Sequence, residues 1–195
     1  MSCALFKSNV MRIHVPLTYS DTMQSGTSEH PAVPAKQYVD AYHAFSLACD
    51  KDFAPACCFK AIMDRRGIGE QGRKPNVKFA LDTMERCCTR LNDARCCYTL
   101  SGWYMGDTRR QKAIRRQKGG DENTAWQIPE NMGLALQYGI KACELGEAQS
   151  CANVSRMYKW GDGVDKSSDL AQKYADMAKD IVENVKEGLS ISAMG

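Results

Sequence analysis

Three short stretches decide the fold: CDKDFAPAC (49–57), CTRLNDARC (88–96) and CELGEAQSC (143–151). Each is a pair of cysteines separated by seven residues. Apolar residues flank each stretch at helical spacing. In the third unit Leu134, Ala135, Tyr138 and Ala142 form a stripe ahead of Cys143, and Ala152, Ser155, Met157 and Tyr158 follow Cys151. The period is that of an amphipathic helix on each side of the cysteine pair. The first cysteine then falls in the last turn of one helix and the second in the first turn of the next, facing it across a bend. Closing so short a loop stabilises a hairpin by roughly 2–3 kcal/mol, which matters because one helical hairpin buries little apolar area.

Outward from the bends, a repeat emerges. The first two cysteine pairs stand 39 residues apart and the second and third 55 apart. The excess of 16 coincides with a polar, basic segment around Arg109 to Asn123, read as an insertion in a connecting loop. Past it the period recovers, because Leu134, Ala135 and Tyr138 recur as Leu170, Ala171 and Tyr174, each 36 residues later. A fixed period of this size marks a solenoid. Small residues dominate the stripes, so paired helices can approach closely. Gly67, Gly69, Gly106, Gly161 and Gly163 punctuate the ends of the second helices, where a left-handed cap suits glycine. The pattern predicts helices near 37–50 and 53–66, 77–90 and 93–105, 131–145 and 148–160, with a capping helix near 168–186. The expected fold is all-α, an αα-hairpin solenoid with disulfides inside its repeats. The expected organisation is an atypical or disordered arm over 1–35 and a repeat array over 36–186. The array divides into repeats at about 36–72, 75–106 and 131–163, a basic insertion at about 107–128, and the capping helix; a flexible tail occupies 187–195.

Bulk composition fits this reading. The chain has 195 residues, 44% hydrophobic and 25% charged, close to folded globular averages. No apolar run is long enough to span a bilayer, so membrane insertion is not expected. The opening segment is broken by Lys7, Asn9, Arg12 and His14 and lacks the apolar core of a secretory signal. Lys7 and Arg12 with no early acid carry a faint mitochondrial-presequence character. The net charge of +3 is local: six of the ten residues 109–118 are basic, and without them the remainder is formally −3. With no interleaved aromatics, this stretch reads as a solvated loop, and no nucleic-acid partner is expected. Ten cysteines are many for a reducing compartment.

Across roughly residues 36–186 the pattern resembles the Sel1-like repeat family. One segment is more specific: Lys141-Ala-Cys-Glu-Leu-Gly146 followed by Ser150-Cys-Ala-Asn-Val-Ser-Arg-Met-Tyr-Lys-Trp-Gly-Asp-Gly-Val-Asp-Lys166. It resembles the last disulfide-bearing repeat of the Sel1-repeat factors of the mitochondrial intermembrane space that assemble respiratory complexes, chiefly cytochrome c oxidase and also complex I. The resemblance implies import by oxidative folding, with an import oxidoreductase as a transient partner, and clients among respiratory-complex subunits or other assembly factors. It carries the family's disulfide pairs onto Cys49 with Cys57, Cys88 with Cys96, and Cys143 with Cys151. No cofactor is expected from the residues, and haem is the one that the resemblance suggests. The arm over 1–35, the basic insertion and the doubled cysteines at 57–58, 87–88 and 96–97 depart from the family pattern.

The expected function is therefore a non-catalytic scaffold. Two alternatives stand beside it: a thiol-disulfide or haem-handling factor of the same compartment, and a secreted Sel1 repeat protein that binds an extracellular partner. A thiol-disulfide reductase is the one enzymatic reading the residues leave open. Gly67-Ile-Gly69-Glu-Gln-Gly72 matches the dinucleotide fingerprint in letters, but it follows a predicted helix instead of a strand and reads as a linker. Asn153-Val-Ser155 is a glycosylation sequon inside a predicted helix. His14, His30 and His43 lie far apart, and no nucleophile–base pair can be assembled. Seven intervening residues suit a disulfide better than zinc, whose cysteine pairs are closer, so no metal site is expected. Cys3, Cys58, Cys87 and Cys97 remain as candidate thiols. If Cys88 bonds Cys96, then Cys87 and Cys97 each lie one step further from the bend and point to opposite faces, so they should not bond each other. On that register Cys58 matches Cys97, and Cys58 could meet Cys87 between the first two repeats.

Overall fold

The computed structural model describes residues 35–69, 73–106 and 127–192. Within them seven helices follow one another: α1 (Ala35–Cys49), α2 (Ala54–Arg66), α3 (Val77–Thr89), α4 (Ala94–Met105), α5 (Met132–Glu144), α6 (Ala148–Trp160) and α7 (Ser168–Ser192). They form the hairpins α1–α2, α3–α4 and α5–α6, and α7 covers the last. The second helix of each hairpin also packs on the first helix of the next, so the core runs as a chain of nearest-neighbour interfaces, as in a solenoid. The all-helical hairpin array expected from the repeat is the observed fold. Among the described residues no helix is long and apolar enough to cross a membrane. The arm, most of the basic insertion and Cys3 lie outside the described residues.

Local chemistry places the helix ends. Asn76, Asn131 and Ser167 start the first helix of successive units, and their side chains accept the N–H groups of Phe79, Leu134 and Leu170. These caps satisfy donors that a helix start leaves without an intrahelical partner. The backbone N–H of each cap residue donates in turn to the last turn of the helix before it: Asn76 to Asp64 O, Asn131 to Tyr104 O, and Ser167 to Tyr158 O, at 2.8, 2.8 and 3.1 Å. The junction that holds the basic insertion thus closes with the same bond as the two junctions without it. Gly67 ends α2 in the left-handed region (φ 68°), where a Cβ would stand 2.7 Å from the Arg73 carbonyl oxygen. The glycines of the apparent dinucleotide fingerprint therefore begin at a helix C-terminus.

Small residues do what the stripes predict. Ala80, Ala135 and Ala171 each sit four residues after their cap residue and are buried against the preceding helix. The approach is close enough for Ser101 Oγ to donate to Ala135 O and Ser155 Oγ to Ala171 O, both at 2.7 Å. Parallel tyrosine stacks complete these two interfaces, Tyr104 on Tyr138 with centroids 5.8 Å apart and Tyr158 on Tyr174 at 5.7 Å. The first interface, between α2 and α3, is built differently. Asp64 stands in the α2 place that Tyr104 and Tyr158 hold in their helices.

Candidate functional site

Eight cysteines line the bends in four disulfides. Cys49 bonds Cys57 in the first hairpin and Cys143 bonds Cys151 in the third, with Cα atoms 4.6 and 4.7 Å apart. The second hairpin holds two bonds, Cys88–Cys97 with Cα atoms 4.7 Å apart and Cys87–Cys96 at 5.8 Å. This corrects the register expected from sequence, which joined Cys88 to Cys96 and left Cys87 and Cys97 as thiols.

The physical reason is the length of the second bend. Helices α2, α4 and α6 start at cap residues Phe53, Asp93 and Glu147, each preceded by a residue of positive φ: Asp52, Asn92 and Gly146. Cys57, Cys97 and Cys151 each lie four residues after that cap. On the other side, Cys49 and Cys143 lie four residues before it but Cys88 lies five before. One extra residue in the second bend slides the equivalent partner of Cys88 from 96 to 97. Sulfur positions agree, since Cys57 Sγ and Cys97 Sγ each lie 3.5 Å from the carbonyl oxygen of their partners Cys49 and Cys88.

The same register re-places the remaining cysteines. Cys87 matches Ala48 and Ala142, Cys96 matches Ala56 and Ser150, and Cys58 matches Tyr98 and Ala152, not Cys97. From the Cys88–Cys97 clip, Cys87 and Cys96 are each one step toward the N-terminus. On antiparallel right-handed helices that step turns both side chains to the same face of the hairpin. They meet there against the first hairpin, with Cys87 Sγ 3.3 Å from the Ala54 carbonyl oxygen. Cys87 and Cys97 are not bonded to each other, and Cys87, held by Cys96, makes no bridge to Cys58.

Among the described residues Cys58 is the cysteine outside a disulfide. Its Sγ lies 3.9 Å from Thr99 Oγ1, and burial pushes the thiol up to about 11. A thiol so held stays protonated at neutral pH and is a poor nucleophile. Arg86 lies over the first clip, its Nη2 3.2 Å from Cys49 Sγ and 3.7 Å from Cys57 Sγ, while its Nη1 reaches Asp52 at 3.7 Å.

Two polar clusters flank this core, and sequence reasoning missed both. Asp64 is fully buried and accepts from Lys60 Nζ at 2.8 Å, from Tyr42 OH at 3.0 Å, and from Arg73. Arg73 also lies over the Tyr42 ring, 3.8 Å from its centroid, and Lys60 lies over Phe79 at 4.1 Å. A charge buried this deeply persists only when paired and hydrogen-bonded. The available signal was the four-residue step from Lys60 to Asp64, an ion-pair spacing on a helix. In the second cluster Tyr104 OH and Tyr138 OH both donate to Glu85 Oε1 at 3.3 Å. Desolvation, then the Glu85 charge, raises both phenols, Tyr138 to about 12. Tyr138 marked the repeat period in sequence, but nothing there linked it to Glu85.

No family model matches the chain. It is 32% identical to cytochrome c oxidase assembly factor 7 of Xenopus tropicalis, over 72% of this chain and 54% of that protein. It is 48% identical to the Danio rerio protein of the same name, over 72% of this chain and 70% of that protein. The Drosophila melanogaster homologue is 28% identical over 84% of this chain and 64% of its own length. The chain thus spans about half the length of the Xenopus relative, less than two thirds of the Drosophila one and 70% of the Danio one. Among solved structures a Sel1 repeat protein from Oxalobacter formigenes superposes with a TM-score of 0.51 over 76% of this chain and 50% of that one. At 18% identity, that likeness concerns the fold alone. Taken with the clipped hairpins, these relatives place the chain: it belongs to the cytochrome c oxidase assembly factor 7 family.

Proposed function

We propose that the protein is a non-catalytic scaffold that holds a client during assembly of cytochrome c oxidase in the mitochondrial intermembrane space. Family membership carries the reading, because relatives in three animals bear that assembly role in their names. Clips in all three hairpins support the compartment, since bonds of this kind form where thiols are oxidised. Repeat arrays bind through extended surfaces instead of a single cleft, which suits a protein client. The partners of this reading are cytochrome c oxidase subunits or other assembly factors, and an import oxidoreductase during folding. Affinity capture from mitochondria, paired with protease protection of swollen and intact organelles, tests it. Enrichment of cytochrome c oxidase subunits, with the protein digested only after outer-membrane rupture, is the expected result. Protection that survives rupture, or capture that enriches no such subunit, would overturn it.

A further inference from the structure

The second disulfide of hairpin two is not required by the fold. The first and third hairpins close with one clip each and carry Ala48 with Ala56, and Ala142 with Ser150, where hairpin two carries Cys87 with Cys96. Cys88–Cys97 already closes that bend in the way the other clips do. A second cross-link over almost the same loop removes little further chain entropy. Cys87 and Cys96 are nonetheless present together, beside a carboxylate. Sulfur atoms of Cys87 and Cys96 and a carboxylate oxygen of Asp93 all lie within 4.8 Å of one another. The sulfurs are buried and Asp93 is half-buried, so the acid forms the more open side of the group.

We propose that Cys87, Cys96 and Asp93 form a redox-gated metal site that takes a zinc-like divalent ion once the disulfide is opened. Two molecules of a low-molecular-weight thiol such as glutathione reduce the Cys87–Cys96 bond, leaving two cysteine thiols and one disulfide of the small thiol. The ion then displaces both protons and binds two thiolates and the Asp93 carboxylate, with tetrahedral coordination leaving one position for a further ligand. Zn–S and Zn–O bonds of about 2.3 and 2.0–2.2 Å set ligand atoms less than about 4 Å apart, so the Asp93 oxygen is already near while the freed sulfurs must draw apart. The Cα atoms of this pair stand 5.8 Å apart against 4.6–4.7 Å in the other three, so this pair has the wider backbone separation for an intervening ion. Cys88–Cys97 holds the bend throughout, so the site can open and load without loss of the hairpin.

The test uses the full chain with Cys3→Ser and Cys58→Ala, so that the opened pair supplies the thiols measured. Mild anaerobic reduction is followed by differential alkylation to identify the opened bond, and a parallel unalkylated sample is titrated with Co2+ and then Zn2+. The expected result is opening of Cys87–Cys96 with the hairpin clips intact. One Co2+ per chain then gives tetrahedral d–d and sulfur-to-cobalt charge-transfer bands that Zn2+ abolishes. Asp93→Asn keeps a helix cap, since Asn caps as well as Asp, and is expected to hold the melting temperature while weakening Co2+ binding by about tenfold or more. Cys87→Ala with Cys96→Ser, residues the sibling hairpins already use there, is expected to fold and give no bands. Absent bands with Cys87 and Cys96 reduced would overturn the proposal. So would bands that survive the double substitution, affinity unchanged in Asp93→Asn, or opening of a hairpin clip before Cys87–Cys96.

Discussion

Cys58 carries a stability that depends on pH with a definite sign. Burial raises its thiol from 9.0 to about 11, so the folded state holds that proton more tightly than the unfolded chain. Its contribution is complete below about pH 9 and is lost as pH rises through about 11. The loss is on the order of 2–3 kcal/mol. Cys58→Ala is expected to flatten the fall in denaturant midpoint between about pH 8.5 and 9.5, where the unfolded thiol already gives up its proton and Tyr138, whose phenol is raised from 10.0 to about 12, adds little. An equally steep fall in the variant would show that the thiol is not the group responsible. Asp64 is held by charges from two segments, α2 and the linker after it. Asp64→Ala leaves Lys60 and Arg73 facing each other without their counter-charge, which for a buried pair costs about 3–5 kcal/mol. Thermal unfolding measures it, and a loss below about 1 kcal/mol, the scale of surface pairs, would mean that water reaches the niche. Neither role was legible in the sequence. Burial of Cys58 follows from where α2 meets α4, and the Asp64 niche gathers Tyr42 and Arg73 from segments whose spacing carries no shared period.

Helices and hairpins were the legible level, because amphipathic period and cysteine pairs agree at every bend and glycines mark the link after each hairpin. What misled was the assumption of constant bend length. Literal C-x7-C spacing hid the single added residue between Cys88 and Asp93, and only the cap positions at Phe53, Asp93 and Glu147 reveal it. The corrected register changes what each clip should be worth. Cys143→Ser removes the one bond of hairpin three and is expected to cost roughly 2–3 kcal/mol. Removing Cys88–Cys97 by alanine substitutions is expected to cost clearly less, since Cys87–Cys96 still closes almost the same loop. Equal losses in calorimetry would contradict the redundancy of hairpin two. The basic insertion should be dispensable for folding. Its junction is closed by Asn131 N–H on Tyr104 O, the bond that closes the other junctions, and loop length adds closure entropy only slowly. Deleting Arg109–Gly120 should leave helicity and melting temperature unchanged within error, whereas a cooperative loss of helix signal would show that the segment packs as an element.

Across the whole molecule, stability should be graded, because the main packing among the described residues joins each hairpin to its neighbours. Hairpin two has a neighbour on both sides and two cross-links, and its core residues Met84, Cys87, Cys88, Cys96, Cys97 and Leu100 are fully buried. Hairpin three depends on α7, where Tyr174 joins Cys143, Cys151 and Val154 in one buried cluster with Tyr158, Met177 and Ile181 packed around it. Ser155 and Tyr158 also spend their hydrogen bond and ring stack on that helix. Shortening the chain to end at Asp165 strips this cover and leaves Val154 and Tyr158 to water, while the Cys143–Cys151 clip and the α4–α5 interface remain. Native-state hydrogen exchange should then show α5 and α6 opening at a much lower free energy than in the full chain, with α3 and α4 close to their original protection. The denaturation profile should broaden as the last hairpin separates from the rest. If protection instead falls evenly from α1 to α6, the array unfolds as one cooperative body and the nearest-neighbour description does not hold for it.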